Sequence, residues 1–310
     1  MLRSAMTERP DARGGERGTG ALLVLAAAAL WSTGGMGVKV ADAEPLVIAG
    51  LRSAFALAFM GTVLAIELRR SGQGARELFA LLRRPLVWAA AASYALMVVM
   101  FCLSARRTTA ANAIFIQYTG PVYVALLSAK LLGEKPSGGD FIAVAASIVG
   151  MALAFGGELG GGRMEGNVLA VLSSFGFAGL PLLLRVEEQR RTAPLAPLVA
   201  MSLGNAIAAV VALPATVAHP PHDGRTWIVL VLLGTLQIGL PYVFYGMAVR
   251  RLRALESSLL AMIEPVLNPI WVLLATGETP SLMAAIGGGV IICAVAFNAT
   301  HRSLRPKPTT

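Results

Sequence analysis

Ten stretches of this chain carry no Asp, Glu, Lys or Arg, or gain full length by crossing one or two, and that feature limits what the chain can fold into. They run 18–38, 53–66, 85–105, 108–129, 141–157, 166–184, 192–222, 226–249, 265–277 and 279–301. The second extends back through Arg52 to Pro45, and the ninth through Glu264 to Leu255. A transmembrane helix needs about 20 mostly apolar residues to cross about 30 Å of hydrocarbon. In lipid the backbone must satisfy its own hydrogen bonds, so long apolar spans are helices. A β-barrel would show alternating segments of about 9–11 residues, and these runs are continuous. Composition agrees: 56% of the residues are hydrophobic and only 14% charged, against roughly 25% charged in soluble domains. A soluble enzyme would lack charges to cover its surface, and a disordered chain would have far more. The expected fold class is an all-α integral membrane protein of ten transmembrane helices.

The charges that remain set the orientation. Counted by loop, 20 Lys and Arg residues fall in the two termini and every second connector, 5 in the alternate connectors, and Arg52 inside a span. By the positive-inside rule both termini are cytoplasmic. The net charge of +9 is thereby read as topology, and no nucleic-acid partner is needed. Residues 1–18 read as a polar cytoplasmic tail and 301–310 as a short basic one. The first span is too long for a signal-peptide core and is read as retained. Cys102 and Cys293, both in apolar runs, are too few for a disulfide framework.

A shift of 144 positions aligns the chain with itself. Pro121 meets Pro265, Gly133 meets Gly277, Glu134 meets Glu278, Pro136 meets Pro280 and Ser137 meets Ser281. Upstream, Arg106-Arg107 meets Arg250-Arg251 and Ala110 meets Ala254. Each unit reads helix, basic turn, Pro-containing helix, Gly-Glu-x-Pro-Ser turn, helix. The units are placed at 19–160 and 165–300, five spans each. Five is odd, so the second unit enters the membrane from the opposite side, and inverted repeats commonly hold a substrate site near the midplane where they meet.

These motifs resemble the EamA-type branch of the drug/metabolite transporter superfamily. The resemblance rests on Leu30-Trp31-Ser32, then Lys39, Pro45 and Arg52, and on the two units ending in Leu132-Gly133-Glu134 and Thr276-Gly277-Glu278. Glu264-Pro265 has the family's form, and the first unit has Gly120-Pro121 in its place. The resemblance implies ten helices in two inverted five-helix repeats, a central cavity, alternating access, and movement of small metabolites, often outward. It also implies the inner membrane as the location.

Charge within a span costs about 2.5–3.5 kcal/mol near the helix centre, so each instance needs a reason. Glu264 lies near the midplane, on the face that helical spacing gives to Ser257, Ala261 and Asn268. It fits a proton or substrate-amine site, and equally a structural carboxylate pairing a buried Arg or capping the break at Pro265 and Pro269. Arg52 fits a substrate carboxylate through its planar fork, or snorkelling and backbone contacts. A direct Arg52–Glu264 pair is a further arrangement. Trp31, followed by Ser32-Thr33-Gly34-Gly35, is a cavity wall or a close-packing site. Gln117 and Pro121 share a face of the fourth span, with Ser128 beyond. Tyr242 and Tyr245 suit an apolar or aromatic ligand, or core packing. Ser202 and Asn205 share a face of the seventh span, and Ser173 and Ser174 are expected to bond back to their own helix. Pro121, Pro181, Pro241, Pro265 and Pro269 are expected to break helices. Gly133-Glu134 and Gly277-Glu278 are read as helix ends, and Gly287-Gly288-Gly289 as close packing.

Other classes fit less well. His219, His222 and His301 all fall at loops or tails, which argues against an intramembrane Ser–His or zinc site. Gly139-Asp140 has no second span Asp to form an aspartyl-protease pair. No phosphate-binding loop appears, so ATP-driven transport is not expected, nor is any metal or cofactor. The chain reads as a secondary transporter exporting a small metabolite, an amino acid or related amphiphile first among them. Its partners are that small molecule, the lipid bilayer and, with Glu264 as carrier, protons. A facilitated-diffusion carrier or a non-transporting membrane component are the alternatives.

Overall fold

The computed structural model describes residues 10–34, 37, 40–72, 74–105, 107–157, 163–190, 193–276 and 281–303. Every element among them is helical: α1 Pro10–Trp31, α2 Pro45–Arg70, α3 Gly74–Leu82, α4 Pro85–Ala105, α5 Ala110–Gln117, α6 Gly120–Leu132, α7 Gly138–Phe155, α8 Met164–Arg190, α9 Ala196–Ala218, α10 Gly224–Leu232, α11 Leu240–Ala248, α12 Ala254–Ala261, α13 Glu264–Thr276 and α14 Leu282–Ser303. A π-helical segment, Leu233–Gly239, joins α10 to α11. Lys39, Gly35, Arg106, Gly277-Glu278 and Pro280, the tails 1–9 and 304–310, and the side chains of Asn268 and Pro269 lie outside the described residues.

Eight helices or helix runs are long and apolar enough to cross a bilayer: α2, α4, α5–α6, α7, α8, α9, α10–α11 and α14. The chain is a multi-pass membrane protein. Their outer faces carry large apolar side chains such as Leu126, Ile142 and Val210, a surface suited to lipid. The other two expected spans fall in α1 and α12–α13, which pack into the bundle. Val24, Ala27 and Ala28 of α1 and every residue of α12 are buried. α1 begins at Pro10, so the end of the expected polar tail is helical. The connector after α2 holds the short helix α3, where the expectation was loop.

Local sequence explains the helix ends. Pro45 and Pro85 open α2 and α4, where a missing N–H costs nothing. Thr109 caps α5 by accepting from the Asn112 N–H. Ser137 and Asp140 form a capping box at the start of α7. Ser281 accepts from the Ala284 N–H at the start of α14, at 3.1 Å. Asp223 caps α10, and its bonds with Thr226 hold its carboxyl below the usual carboxylate range. Gly133 ends α6 at φ +65°, a left-handed cap that suits Gly.

Prolines act differently from expectation. Pro181 lies inside an unbroken α8. Pro121 and Pro265 sit second in α6 and α13, and Pro241 second in α11. The interruption precedes each of these three, because proline tolerates the first helical turn and its ring clashes with the turn before it. The main packing contacts are α2 on α9, α7 on α14, α4 on α8, α1 on α11, and α4 on α9.

Candidate substrate site

Two helix pairs, α5–α6 and α12–α13, are interrupted in the same way. α5 and α12 run 110–117 and 254–261, and α6 and α13 run 120–132 and 264–276, a constant offset of 144 residues. Between them lie Tyr118-Thr119 and Met262-Ile263. A broken helix places backbone N–H groups and a positive dipole end inside the membrane, which is where discontinuous helices bind solutes. Glu264 is the first residue of α13, and its Oε2 accepts a 2.6 Å hydrogen bond from the Tyr118 hydroxyl. The two breaks therefore touch. The break also corrects the expected single helical face from Ser257 to Asn268: helix α12 stops at Ala261.

Beside this contact lies a cluster of aromatic rings. Trp31 packs on Tyr242 and Tyr245 at centroid distances of 4.9 and 5.6 Å. Tyr94 meets the Tyr242 ring edge-on at 4.8 Å. The Tyr94 hydroxyl donates to Asn205 Oδ1 at 3.1 Å, and Asn205 Nδ2 donates to the Met201 carbonyl at 3.0 Å. Ser257, fully buried, lies near Tyr245 and donates to the Ala254 carbonyl of its own helix at 2.9 Å. Arg52 is near enough for its charge to act on Tyr94, Tyr242 and Glu264. No ion pair joins Arg52 to Glu264. The carboxylate is held by Tyr118, and Arg52 Nε is buried without a hydrogen-bond partner. The direct pair weighed from sequence is thus absent.

Trp31, Arg52, Asn205, Tyr242, Tyr245, Ser257 and Glu264 are brought together by this arrangement. Gln117 stands apart: its Nε2 donates to Ser173 Oγ at 2.7 Å, and Ser173 donates to the Met97 carbonyl at 2.8 Å. That chain ties α5, α8 and α4. It also corrects the expectation for Ser173, while Ser174 does bond back, to the Val171 carbonyl. Tyr94, Tyr118 and Gln237 were missed. Neutral polar residues within the spans were weighed, Gln117, Tyr242 and Tyr245 among them, but nothing in the local sequence of Tyr94, Tyr118 and Gln237 shows which partner each meets.

At the Arg-rich end of the bundle, ion pairs connect segments far apart in sequence. Glu134 pairs with Arg185 at 2.9 Å and Arg253 at 3.7 Å, and its Oε2 accepts from the Ala254 N–H, capping α12. Arg84 pairs with Glu187 at 2.6 Å, Arg250 with Glu188 at 3.5 Å and Arg17 with Glu256 at 3.1 Å. Gly133 is the helix end that was expected, but Glu134 does more than finish a turn.

The EamA-like transporter family model matches residues 18–156 and again 164–300. The chain belongs to the EamA-like transporter family. This family lies within the drug/metabolite transporter superfamily, and the two matched segments make the chain a two-repeat membrane transporter. This EamA-like chain is 26% identical over 204 residues, 64% of its length, to an uncharacterized transporter of Archaeoglobus fulgidus, of which 71% is covered. A solved structure, described only as the crystal structure of a protein, superposes with a TM-score of 0.76 at 20% identity, over 93% of this transporter and 99% of that chain. That likeness concerns the fold alone.

Proposed function

We propose that the chain is a secondary transporter of the inner membrane, built from ten helices in two inverted five-helix repeats. It exports an amino acid or a related small amphiphile by alternating access. The observation that carries this reading is the placement of Arg52 and Glu264, unpaired with each other, around the Trp31–Tyr242–Tyr245 cluster at the contact between two broken helices. A guanidinium suits a carboxylate, a carboxylate suits an ammonium, and the rings suit an apolar body.

The repeat reading is supported by the constant offset of the broken helices and by equivalent Ser caps at Ser137 and Ser281. The packing partners also exchange under a swap of halves: the third on the sixth span answers the first on the eighth. Units of 19–160 and 165–300 follow, with both termini cytoplasmic by the distribution of Lys and Arg. Then Glu134, Arg185, Arg253 and their neighbours close the cytoplasmic side. Glu264 releases a proton to one side when substrate leaves on the other.

The test is transport in proteoliposomes with labelled amino acids and a pH-sensitive dye inside, parent beside Glu264→Gln. Substrate flux with proton counterflow, both lost in the variant, is expected. Flux without proton movement, unchanged in the variant, makes the protein a facilitator and Glu264 structural. No flux with any amino acid overturns the substrate class.

A further inference from the structure

The π-helical segment Leu233–Gly239 presses on two neighbours. Gln237 Nε2 donates to the Trp31 carbonyl at 3.1 Å. Gly34, three residues after Trp31, lies against the same amide, since a Cβ there would stand 2.6 Å from Gln237 Nε2 and displace it. On another side, Gly234 lies against α2, where a Cβ would stand 2.7 Å from the Arg52 carbonyl. A π segment adds a residue to one turn and is found mostly where a side chain must be re-aimed for function. Here the segment brings Gln237 to Trp31 and its own backbone to Arg52.

Three buried polar atoms at these contacts have no hydrogen-bond partner: Trp31 Nε1, Arg52 Nε and Gln237 Oε1. Trp31 and Gln237 are 8% and 7% exposed. The Gln237 amide is oriented by its bond to a carbonyl, which only the NH₂ end can make. A buried polar atom left unpaired costs about 1–3 kcal/mol, and native interiors leave few such atoms. Two are N–H donors and one is an oxygen acceptor.

We propose that these atoms read the α-amino acid headgroup: Trp31 Nε1 and Arg52 Nε donate to the substrate carboxylate, and Gln237 Oε1 accepts from its ammonium. This inference rests on the amino-acid reading above and assigns the recognition to a site reaching beyond the Arg52–Glu264 pair. Trp31 thereby serves twice, its ring as a wall and its N–H as a donor, and the π segment sets the position of Gln237.

The experiment measures binding of leucine and phenylalanine to the purified transporter, each as the free zwitterion, the methyl ester and the N-acetyl derivative. The parent is expected to bind the zwitterions at least tenfold more tightly than either derivative. Gln237→Met should lose the preference over the N-acetyl form, and Trp31→Phe the preference over the ester. Gln237→Glu keeps the acceptor but loses the donor to Trp31, so it should retain the preference over the N-acetyl form. This separates recognition from the tie to α1. Monodisperse variants that keep every parental preference overturn the proposal and leave the amino-acid reading standing. A parent that binds none of the compounds, or does not discriminate among them, overturns both.

Discussion

The Tyr118 hydroxyl donates to the Glu264 carboxylate at 2.6 Å, and this bond joins the break between α5 and α6 to the break between α12 and α13. The two residues stand 146 positions apart, one in each matched segment of the family. A hydrogen bond of this kind contributes about 0.5–3 kcal/mol, enough to hold the two halves at this contact and small enough to break and reform. Removal of the hydroxyl by Tyr118→Phe should therefore alter transport while leaving the fold intact. Turnover in proteoliposomes is expected to fall about tenfold, with thermal unfolding in detergent shifted by only a few degrees. Parental turnover in Tyr118→Phe would show that the bond has no part in the cycle.

Glu134 is held by two arginines from different segments, Arg185 and Arg253, and is partly buried with them. Exposed pairs are worth about 0–1 kcal/mol, but loss of a shared partner leaves two like charges adjacent. Glu134→Gln should open that end of the bundle. The reporter is Ser257→Cys in a background lacking Cys102 and Cys293, labelled by a membrane-impermeant thiol reagent added on the side of the Arg-rich end. Labelling several times faster than in the reporter alone is expected, and Lys130→Gln, an exposed site at the end of α6, should change nothing. Equal rates in all three would remove Glu134 from the closure.

Asp140 accepts from the Ser137 backbone N–H at 2.7 Å and from Asn298 Nδ2 at 2.6 Å, so it both caps α7 and anchors α14. Asp140→Ala loses a cap worth about 1 kcal/mol and leaves buried Asn298 without that acceptor, a further cost of about 1–3 kcal/mol. A drop of several degrees in unfolding temperature is expected, with Asp140→Asn in between. Substrate affinity measured alongside should not move, and a selective loss of transport in a fully stable Asp140→Ala protein would contradict this structural role.

The three consecutive glycines of α14 are not equivalent. A Cβ on Gly287 would run into the Gly150 carbonyl and the Ala154 N–H, one on Gly288 would stand 3.1 Å from Val266, and one on Gly289 would meet nothing. Gly287→Ala should weaken the α7–α14 packing and lower the yield of folded protein, and Gly289→Ala should be silent. Equal behaviour of the two in a detergent-extraction and size-exclusion assay would argue against this packing.

The sequence alone determined the membrane class, because no arrangement but helices can bury so many long apolar runs in lipid. It also determined the repeat, whose Pro and Ser positions recur as helix starts and caps through local backbone rules. It gave Glu264 and Arg52 as the charges needing explanation, since charge in hydrocarbon is costly wherever it falls. Tertiary structure decided what those charges touch. That Glu264 is held by Tyr118 and not by Arg52, that Ser173 bonds to another helix, and that Glu134 bridges two arginines all depend on which spans lie side by side. Helical periodicity orients residues about one axis and says nothing of the neighbour they meet. The π segment at Gln237 was equally hidden, because an added residue in one turn is decided by packing against Trp31 and Arg52, not by the composition of the span.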